Sequence, residues 1–315
     1  MKIAALDIGG TSIKSGIWED GVLTGLEEQD TNARQGGAYV MERAVGLLDQ
    51  LVEHCGPVDA IGISTAGQVD TRSGSIYYAN ENIPGYTGMK VKAVLEEHFH
   101  VPVAVENDVN AAALGEGWKG AAADSKDYLC LTYGTGVGGA IVIDRTLYTG
   151  SSWSAGSFGG IVIHPEAVRA GEEFSGCYEK YASTTGLVRK AMELNPALDS
   201  GRKIFAALEQ ERACGGEVCR VQQVVDQWID EILYGLITLV HIFNPSKVVL
   251  GGGIMAQDYV LSRIQQKLPA MVAGGFDQLE IVRAALGNQA GLYGAVWLAK
   301  QYAEQENPHM KQENS

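Results

Sequence analysis

No uninterrupted apolar run in this chain approaches the roughly 20 residues that a membrane-spanning helix needs, so no such helix is expected. Positive charge is also scarce. Lys and Arg total 24 against 38 Asp and Glu, a formal net charge of -14. A surface this acidic repels nucleic acid and anionic membranes, which leaves a small molecule as the expected partner. Cysteine is sparse and odd in number: Cys55, Cys130, Cys177, Cys214 and Cys219. Cys130 falls inside an apolar strand pattern, and Met1-Lys2-Ile3 enters a strand at once with no leader pattern. Together these features predict a reducing, cytoplasmic setting rather than a disulfide scaffold. No G-x-x-x-x-G-K-S/T string occurs, so a P-loop has no support. The remaining composition, 46% hydrophobic and 20% charged over 315 residues, suits two globular domains or one large one.

Two glycine-rich turns stand at matching points, each after a short apolar strand. The first is Ala5-Leu6-Asp7-Ile8-Gly9-Gly10-Thr11; the second is Thr132-Tyr133-Gly134-Thr135-Gly136-Val137-Gly138-Gly139. Glycine lets the backbone take positive φ and approach a ligand closely. Unpaired amides in such turns form an anion-binding concavity. Two of them, each with a hydroxyl residue, predict a clamp on a polyphosphate and hence a nucleotide-using enzyme. A dinucleotide fingerprint would have to open a helix, whereas Gly139-Ala140-Ile141-Val142-Ile143 reads as a strand. The plainer alternative is a pair of ordinary hairpins with glycine turns.

Residues 2 to 28 read as three strands, followed by a helix with Val40, Ala44, Leu47, Leu48 and Leu51 on one face. A strand over Val58 to Ser64, a helix marked by Val91, Val94, Leu95 and Phe99, a strand over Pro102 to Val105 and a helix over Val109 to Trp118 follow. The order restarts at Asp127: strands over Tyr128 to Tyr133 and Val137 to Ile143, then a third ending at Tyr148. A long helix over Val221 to Phe243, a strand at Lys247 to Leu250, a helix from Asp258 to Ala270, a strand at Leu279 to Arg283 and a helix over Gln289 to Gln305 close the chain. This is a tandem duplication of a βββαβα plan, with mixed sheets carrying helices on both faces. A small domain over 1–118 with 288–305, a larger one over 119–287 and a flexible tail over 306–315 are expected, with a cleft between the halves.

Asp7-Ile8-Gly9-Gly10-Thr11 with Lys14 resembles the first phosphate motif of the ROK family of bacterial sugar kinases. Five further segments are similar to that family's, in its order, over about residues 2 to 300. Ser64-Thr65-Ala66-Gly67-Gln68-Val69-Asp70 resembles its P-G-x-V-D loop, and Asn82-Ile83-Pro84-Gly85-Tyr86 its N-I/L-P-G-W segment. Glu106-Asn107-Asp108-Val109-Asn110-Ala111 resembles its catalytic E-N-D-x-N-A segment; Gly134 to Gly139 resembles its second phosphate motif, and Leu250-Gly251-Gly252-Gly253 its adenosine motif. The resemblance implies the duplicated ribonuclease-H-like fold of actin and hexokinase. It also implies ATP and Mg²⁺ as cofactors and a small-molecule sugar as partner; a homodimer is expected. By the same resemblance Asp108 would be the general base, and Gly67, Asn82, Asn107 and Glu179 would hold the sugar. Asp7 would sit by Mg²⁺ through a water. Gly9, Gly10, Thr11, Lys14, Thr132, Gly134, Thr135 and Gly136 would serve the phosphates, and Gly252 and Gly253 the adenosine. An aspartate is already ionised at neutral pH, so a base here needs little tuning. Taken without its context, Asn107-Asp108 reads equally as a helix N-cap.

The chain departs from the family where most members hold a structural zinc. Their G-E-x-G-H segment is here Gly156-Ser157-Phe158-Gly159-Gly160, and of three cysteines only Cys177 remains. One thiol cannot replace a tetrahedral set, and Cys214 and Cys219 read as free thiols of a surface turn rather than metal ligands. No zinc site is therefore expected, with packing taking its place. Loss of the glutamate and histidine also removes grips on hydroxyls near the anomeric carbon, which permits an O1 substituent such as a β-glucoside or disaccharide. The resemblance leaves three other readings open: a glucokinase or N-acetylmannosamine kinase, a non-catalytic sugar-binding protein or regulator, and, more remotely, an actin-like filament protein. Purified protein should carry no stoichiometric zinc and withstand chelators; elemental analysis finding about one zinc per chain would overturn this reading.

Overall fold

The computed structural model describes residues 1–214 and 220–306; the thiols of Cys214 and Cys219, and the tail beyond Glu306, lie outside the described residues. The chain forms two compact units. The first comprises Met1–Asp124, Leu147–Ala155 and the chain from Ala285 onward; the second comprises Ser125–Thr146 and Gly156–Ala284.

In the first unit the elements run β1 (Ile3–Ile8), β2 (Ser12–Glu19), β3 (Val22–Asp30), α1 (Gly37–Cys55), β4 (Ala60–Thr65), β5 (Gln68–Asp70), β6 (Ser75–Tyr78), α2 (Val91–Phe99), β7 (Val103–Asn107) and α3 (Asp108–Lys119). In the second they run β8 (Tyr128–Tyr133), β9 (Val137–Ile143), β10 (Thr146–Leu147), α4 (Tyr178–Ala182), α5 (Thr184–Leu194), α6 (Gly201–Cys214), α7 (Arg220–Phe243), β11 (Lys247–Gly251), α8 (Asp258–Lys267) and β12 (Glu280–Arg283). Helix α9 (Ala290–Glu306) completes the first unit. The two main sheets have the orders β3-β2-β1-β4-β7 and β10-β9-β8-β11-β12, so the second repeats the first strand for strand. In each, an antiparallel pair (β1 with β2, β8 with β9) continues into parallel neighbours.

Strand β1 shows why both sheet faces are covered. Alternate side chains of a strand point to opposite faces. Ala4, Leu6 and Ile8 join Val40, Ala44 and Leu48 of α1 in one core, while Ile3 and Ala5 join Leu292, Ala295, Val296 and Ala299 of α9 in another. A near-continuous apolar strand is the sequence trace of that two-sided burial. The structure keeps the predicted helix from Val91 to Phe99 and shortens the one predicted from Asp258 to Ala270. Helix α2 buries Val91 and Leu95 but leaves Val94 exposed. Helix α8 gives way to a tighter turn at Leu268–Ala270, where Pro269 cannot donate to the preceding turn. The hairpin β5-β6 and helices α4 to α6 add to the predicted plan.

Helix α9 seats on α3 and β4 almost backbone to backbone. A Cβ on Gly294 would fall 1.7 Å from the Ala111 carbonyl oxygen, one on Gly115 2.4 Å from that of Ala290, and one on Gly62 2.1 Å from that of Ala295. Glu116, fully buried, gathers three backbone amides. Ala121 and Ala285 donate to its Oε2 and Leu286 to its Oε1, at 2.7, 3.0 and 2.8 Å. It thereby ties the end of α3 to the approach to α9. Gly294→Ala should cost about 1–3 kcal/mol through forced separation of the helices, seen as a Tm several degrees lower; an unchanged Tm would show that the helices are not locked here.

Candidate active site

Asp7 stands near the C-terminal end of β1, where the register sets it between Lys14 of β2 and Ser64 of β4. Ser64 Oγ donates to Asp7 Oδ1 at 2.6 Å, and Lys14 Nζ lies 3.3 Å from Oδ2. A Cβ on Gly291 would meet Asp7 Oδ1 at 2.7 Å, so the first turn of α9 closes over this carboxylate. In the turn beyond β1, Gly9 N donates to Ser12 O at 2.9 Å. The amides of Gly10 and Thr11 donate to no acceptor among the described residues.

Strand β7 runs parallel to β4, pairing Glu106 with Ser64 and Asn107 with Thr65. Asn107 ends the strand and caps α3, its Oδ1 accepting from Val109 N and Asn110 N. Its Nδ2 donates at 2.8 Å both to Gly67 O and to Asp108 Oδ1. The N-cap reading of this pair therefore holds at Asn107, and the candidate base is the residue that follows it. Every polar atom of the Asn107 side chain is engaged within the protein, which makes it a positioner of Asp108 and of the Gly67 loop.

Asp108 is only partly exposed, and its carboxyl is pushed up to about 6 by burial and then by the neighbouring Asp7 charge. Hydrogen bonds from Val109 N and Asn107 pull the other way. The sequence reading expects little tuning of this group; the packed site supplies it. Glu106, buried beside it, rises to about 7 through burial, against hydrogen bonds from Asn110 Nδ2 and Asn107 N. Gly67 needs its glycine, since its φ is +95° and a Cβ would lie 3.0 Å from Tyr78 O. Asn82 lies in the loop after β6, exposed, with its amide donating to Asn80 Oδ1 at 3.1 Å.

The second unit carries the other turn. Gly134 O accepts from Thr184 N at 2.9 Å and Thr135 O from Thr185 Oγ1 at 2.8 Å, so the start of α5 takes the carbonyls. The amides of Thr135 and Gly136 donate to no acceptor among the described residues. The glycines of both turns do not use positive φ as the sequence suggests; none of Gly9, Gly10, Gly134 or Gly136 has it. They serve by leaving room: a Cβ on Gly10 or Gly134 would touch nothing, and one on Gly136 would strike Glu179 Oε2 at 2.2 Å. Glu179 Oε2 accepts from Val137 N at 2.9 Å, so this expected sugar ligand braces the turn. Thr132 pairs with Gly251 on the adjoining strand. Gly252 does have positive φ, +93°, and a Cβ there would meet Tyr133 O at 2.2 Å.

A cavity of about 880 Å³ opens beside this turn, lined by Gly134, Thr135 and Gly253. Its other walls come from residues the sequence reading misses, among them Thr184, Thr185, Asp199, Arg202, Phe205 and Gln257. They sit on α5, on α6 and the turn leading into it, and on the turn before α8, where amphipathic periodicity alone gives no sign of a ligand. The volume falls within the range of small-molecule sites.

In the stretch from Gly156 to Cys177, Cys177 Sγ donates to Gly160 O at 3.2 Å, and the amides of Ile163 and His164 both donate to Gly176 O at 3.0 Å. His164 lies 2.7 Å from Glu231 and 2.8 Å from Glu166, and Lys190 is 3.2 Å from Glu231. Burial works against charge on this imidazole, but the two carboxylates outweigh it and raise its pKa. Among the described residues no three His, Cys, Asp or Glu side chains converge as a metal site. No described helix is long and apolar enough to cross a membrane.

The family model described as ROK family matches residues 3–302. The chain is 36% identical to a glucokinase of Halalkalibacterium halodurans over 320 residues, covering 96% of this chain and 95% of that protein. It is 35% identical to a beta-glucoside kinase of Klebsiella pneumoniae over 300 residues, covering 94% and 95% respectively. The crystal structure of a ROK family glucokinase from Streptomyces griseus, in complex with glucose and AMPPNP, is 30% identical with a TM-score of 0.77, covering 96% of this chain and 100% of that one.

A carboxyl with a raised pKa costs the folded state stability once ionised. The folded form holds its proton longer than the unfolded form, so stability falls as pH rises from the unfolded value near 3.8 to about 6. Asp108→Asn should therefore raise Tm at pH 7, and the gain should shrink at pH 4; a lower Tm at pH 7 would contradict the burial argument.

Proposed function

The chain belongs to the ROK family and is a carbohydrate kinase with the two-domain fold of actin and hexokinase, and on that premise we propose that it moves the γ-phosphoryl group of ATP to the C6 hydroxyl of a hexose or β-glucoside, with Asp108 as general base. The observation that carries this reading is the Asp108 carboxyl itself. It is fixed at the first turn of α3 by Asn107, with a pKa near enough to neutrality to take a proton and remain mostly ionised at pH 7.

Phosphoryl transfer demands positioning and charge stabilisation more than covalent chemistry. Asp108 takes the hydroxyl proton as the new O–P bond forms and the bond between the γ-phosphorus and the β,γ-bridging oxygen breaks, ADP being the leaving group. Asn107 holds that carboxylate and the Gly67 loop in one frame, and the loop with Asn82 orients the sugar hydroxyls. Amides of Gly10, Thr11, Thr135 and Gly136 are available to phosphate oxygens, and Lys14 adds a positive charge beside Asp7. The cavity beside Gly134 and Gly253 has room for a nucleoside. The residues fit Mg²⁺ held at Asp7 through water, since Ser64 and Lys14 already engage both carboxylate oxygens and Mg²⁺ retains its waters readily. When bound, the metal would neutralise phosphate charge.

The choice of a β-glucoside over a free hexose rests on the stretch from Gly156 to Cys177. Among the described residues only the Phe174 ring comes within 4 Å of a Cβ built on Gly160, so the position where the family resemblance implies a histidine leaves open space. An ordinary glucokinase or N-acetylmannosamine kinase is the second reading, with Glu179 and backbone groups supplying the anomeric contacts.

Asp108→Asn should lower kcat by about 10²- to 10⁴-fold while sugar binding, followed by calorimetry, stays within a few-fold of wild type. Near-normal turnover would move the base elsewhere. For wild type, kcat/KM against pH should show an acid limb near 6, set by protonation of Asp108. Across cellobiose, methyl β-glucoside, glucose and N-acetylmannosamine, the β-glucosides should be at least as good as glucose; turnover of free reducing sugars alone would favour the second reading.

A further inference from the structure

We propose that Tyr77 and Trp153 form a stacking platform for the second pyranose ring of a β-linked disaccharide substrate, outside the ring that receives phosphate. This rests on the sugar-kinase reading above and names the class of β-glucoside it serves. Tyr77 and Tyr78, on β6, are 52% and 54% exposed, an unusual cost for two adjacent aromatic rings. The Trp153 ring packs on Tyr77 with centroids 5.2 Å apart and planes tilted by 55°.

Three features show that this pair is built rather than incidental. Gln68 pairs with Tyr78 and Val69 with Ile76, so Tyr77 is the extra residue of a β-bulge. Bulges re-aim side chains next to sites. Trp153 has a φ of +56°, a left-handed conformation that a bulky residue adopts only where its surroundings enforce it. The segment Leu147–Ala155 that carries Trp153 belongs to the first unit, although the chain on either side of it belongs to the second.

The same hairpin adjoins the candidate sugar loop. Gly67 immediately precedes β5, its carbonyl accepts from Asn107, and a Cβ built on it would lie 3.0 Å from the Tyr78 carbonyl oxygen. Tyr77 thus lies in the hairpin that begins at Gly67, the loop residue that shares Asn107 with Asp108. A pyranose ring with axial hydrogens on one face suits an aromatic surface, through dispersion and weak C–H contacts to the ring. A free hexose held at Gly67 and Asp108 has no second ring to place there.

Steady-state kinetics on wild type, Tyr77→Ala, Trp153→Ala and Trp153→Phe decide the matter, with cellobiose, methyl β-glucoside and glucose as substrates. The two alanine variants should lose about tenfold in kcat/KM for cellobiose through KM, the scale of one aromatic contact. Glucose and methyl β-glucoside should stay within about twofold, and Trp153→Phe should keep most cellobiose activity. Equal losses on all three sugars would mark a folding role and overturn the platform, as would no loss on cellobiose. Wild type that phosphorylates glucose but not cellobiose would overturn the platform and leave the kinase reading standing. Wild type that phosphorylates no sugar would overturn the kinase reading first.

Discussion

The close seating of α9 on α3 and β4 is the constraint from which the candidate site in the first unit follows. Gly62, Gly115 and Gly294 let three backbones meet where any side chain would intrude on a carbonyl. Small residues at a helix crossing shorten the interaxial distance and leave little freedom to slide. Asp108 is the first residue of α3 and Asp7 is covered by the first turn of α9, so that contact fixes one carboxylate against the other. The raised pKa of Asp108 is partly the electrostatic consequence. Packing between helices thereby contributes to the protonation chemistry of the candidate site.

That arrangement carries a thermodynamic cost. Two carboxylates held close in a partly desolvated pocket repel one another, and burial penalises the charge on Asp108 further. Lys14 and Ser64 offset the Asp7 side, while Asn107 and the Val109 amide offset the Asp108 side. The residual penalty is what leaves Asp108 a better proton acceptor than a solvated aspartate. Stability given up at Asp108 and basicity gained there are two descriptions of one free energy.

Much of this was legible in the sequence, for identifiable reasons. The two-sided burial of β1 and the helix stripe of Val40, Ala44, Leu47, Leu48 and Leu51 express themselves as periodicity, so the sheets and their duplication could be read. The residues at strand ends, Asp7, Asn107, Asp108, Gly134 and Gly252, sit in short strand-turn segments that locate them. The cavity walls on α5 and α6 were not legible, because Thr185, Arg202 and Phe205 converge only once the helices pack. The role of turn glycines was read for the wrong reason. Their freedom from a Cβ matters at Gly136, where Glu179 stands, and positive φ does not arise there. The raised Asp108 pKa was invisible as well, since neither its burial nor its distance to Asp7 is a property of sequence.

The stretch from Gly156 to Cys177, which in sequence keeps only part of the zinc motif that the family resemblance implies, is held together by ordinary groups. Metal ligation would contribute folding free energy at one point. Here the same stretch is joined by several weaker connections: the Cys177 thiol to Gly160 O, paired amides to Gly176 O, and His164 set between Glu231 and Glu166. Glu231 is on α7 and also meets Lys190 of α5, so the loop is fastened to two helices at once. Such a fastening constrains the backbone without filling the space that a histidine at position 160 would occupy. These distributed hydrogen bonds leave room at Gly160 while Glu179 stays in register with the turn it braces.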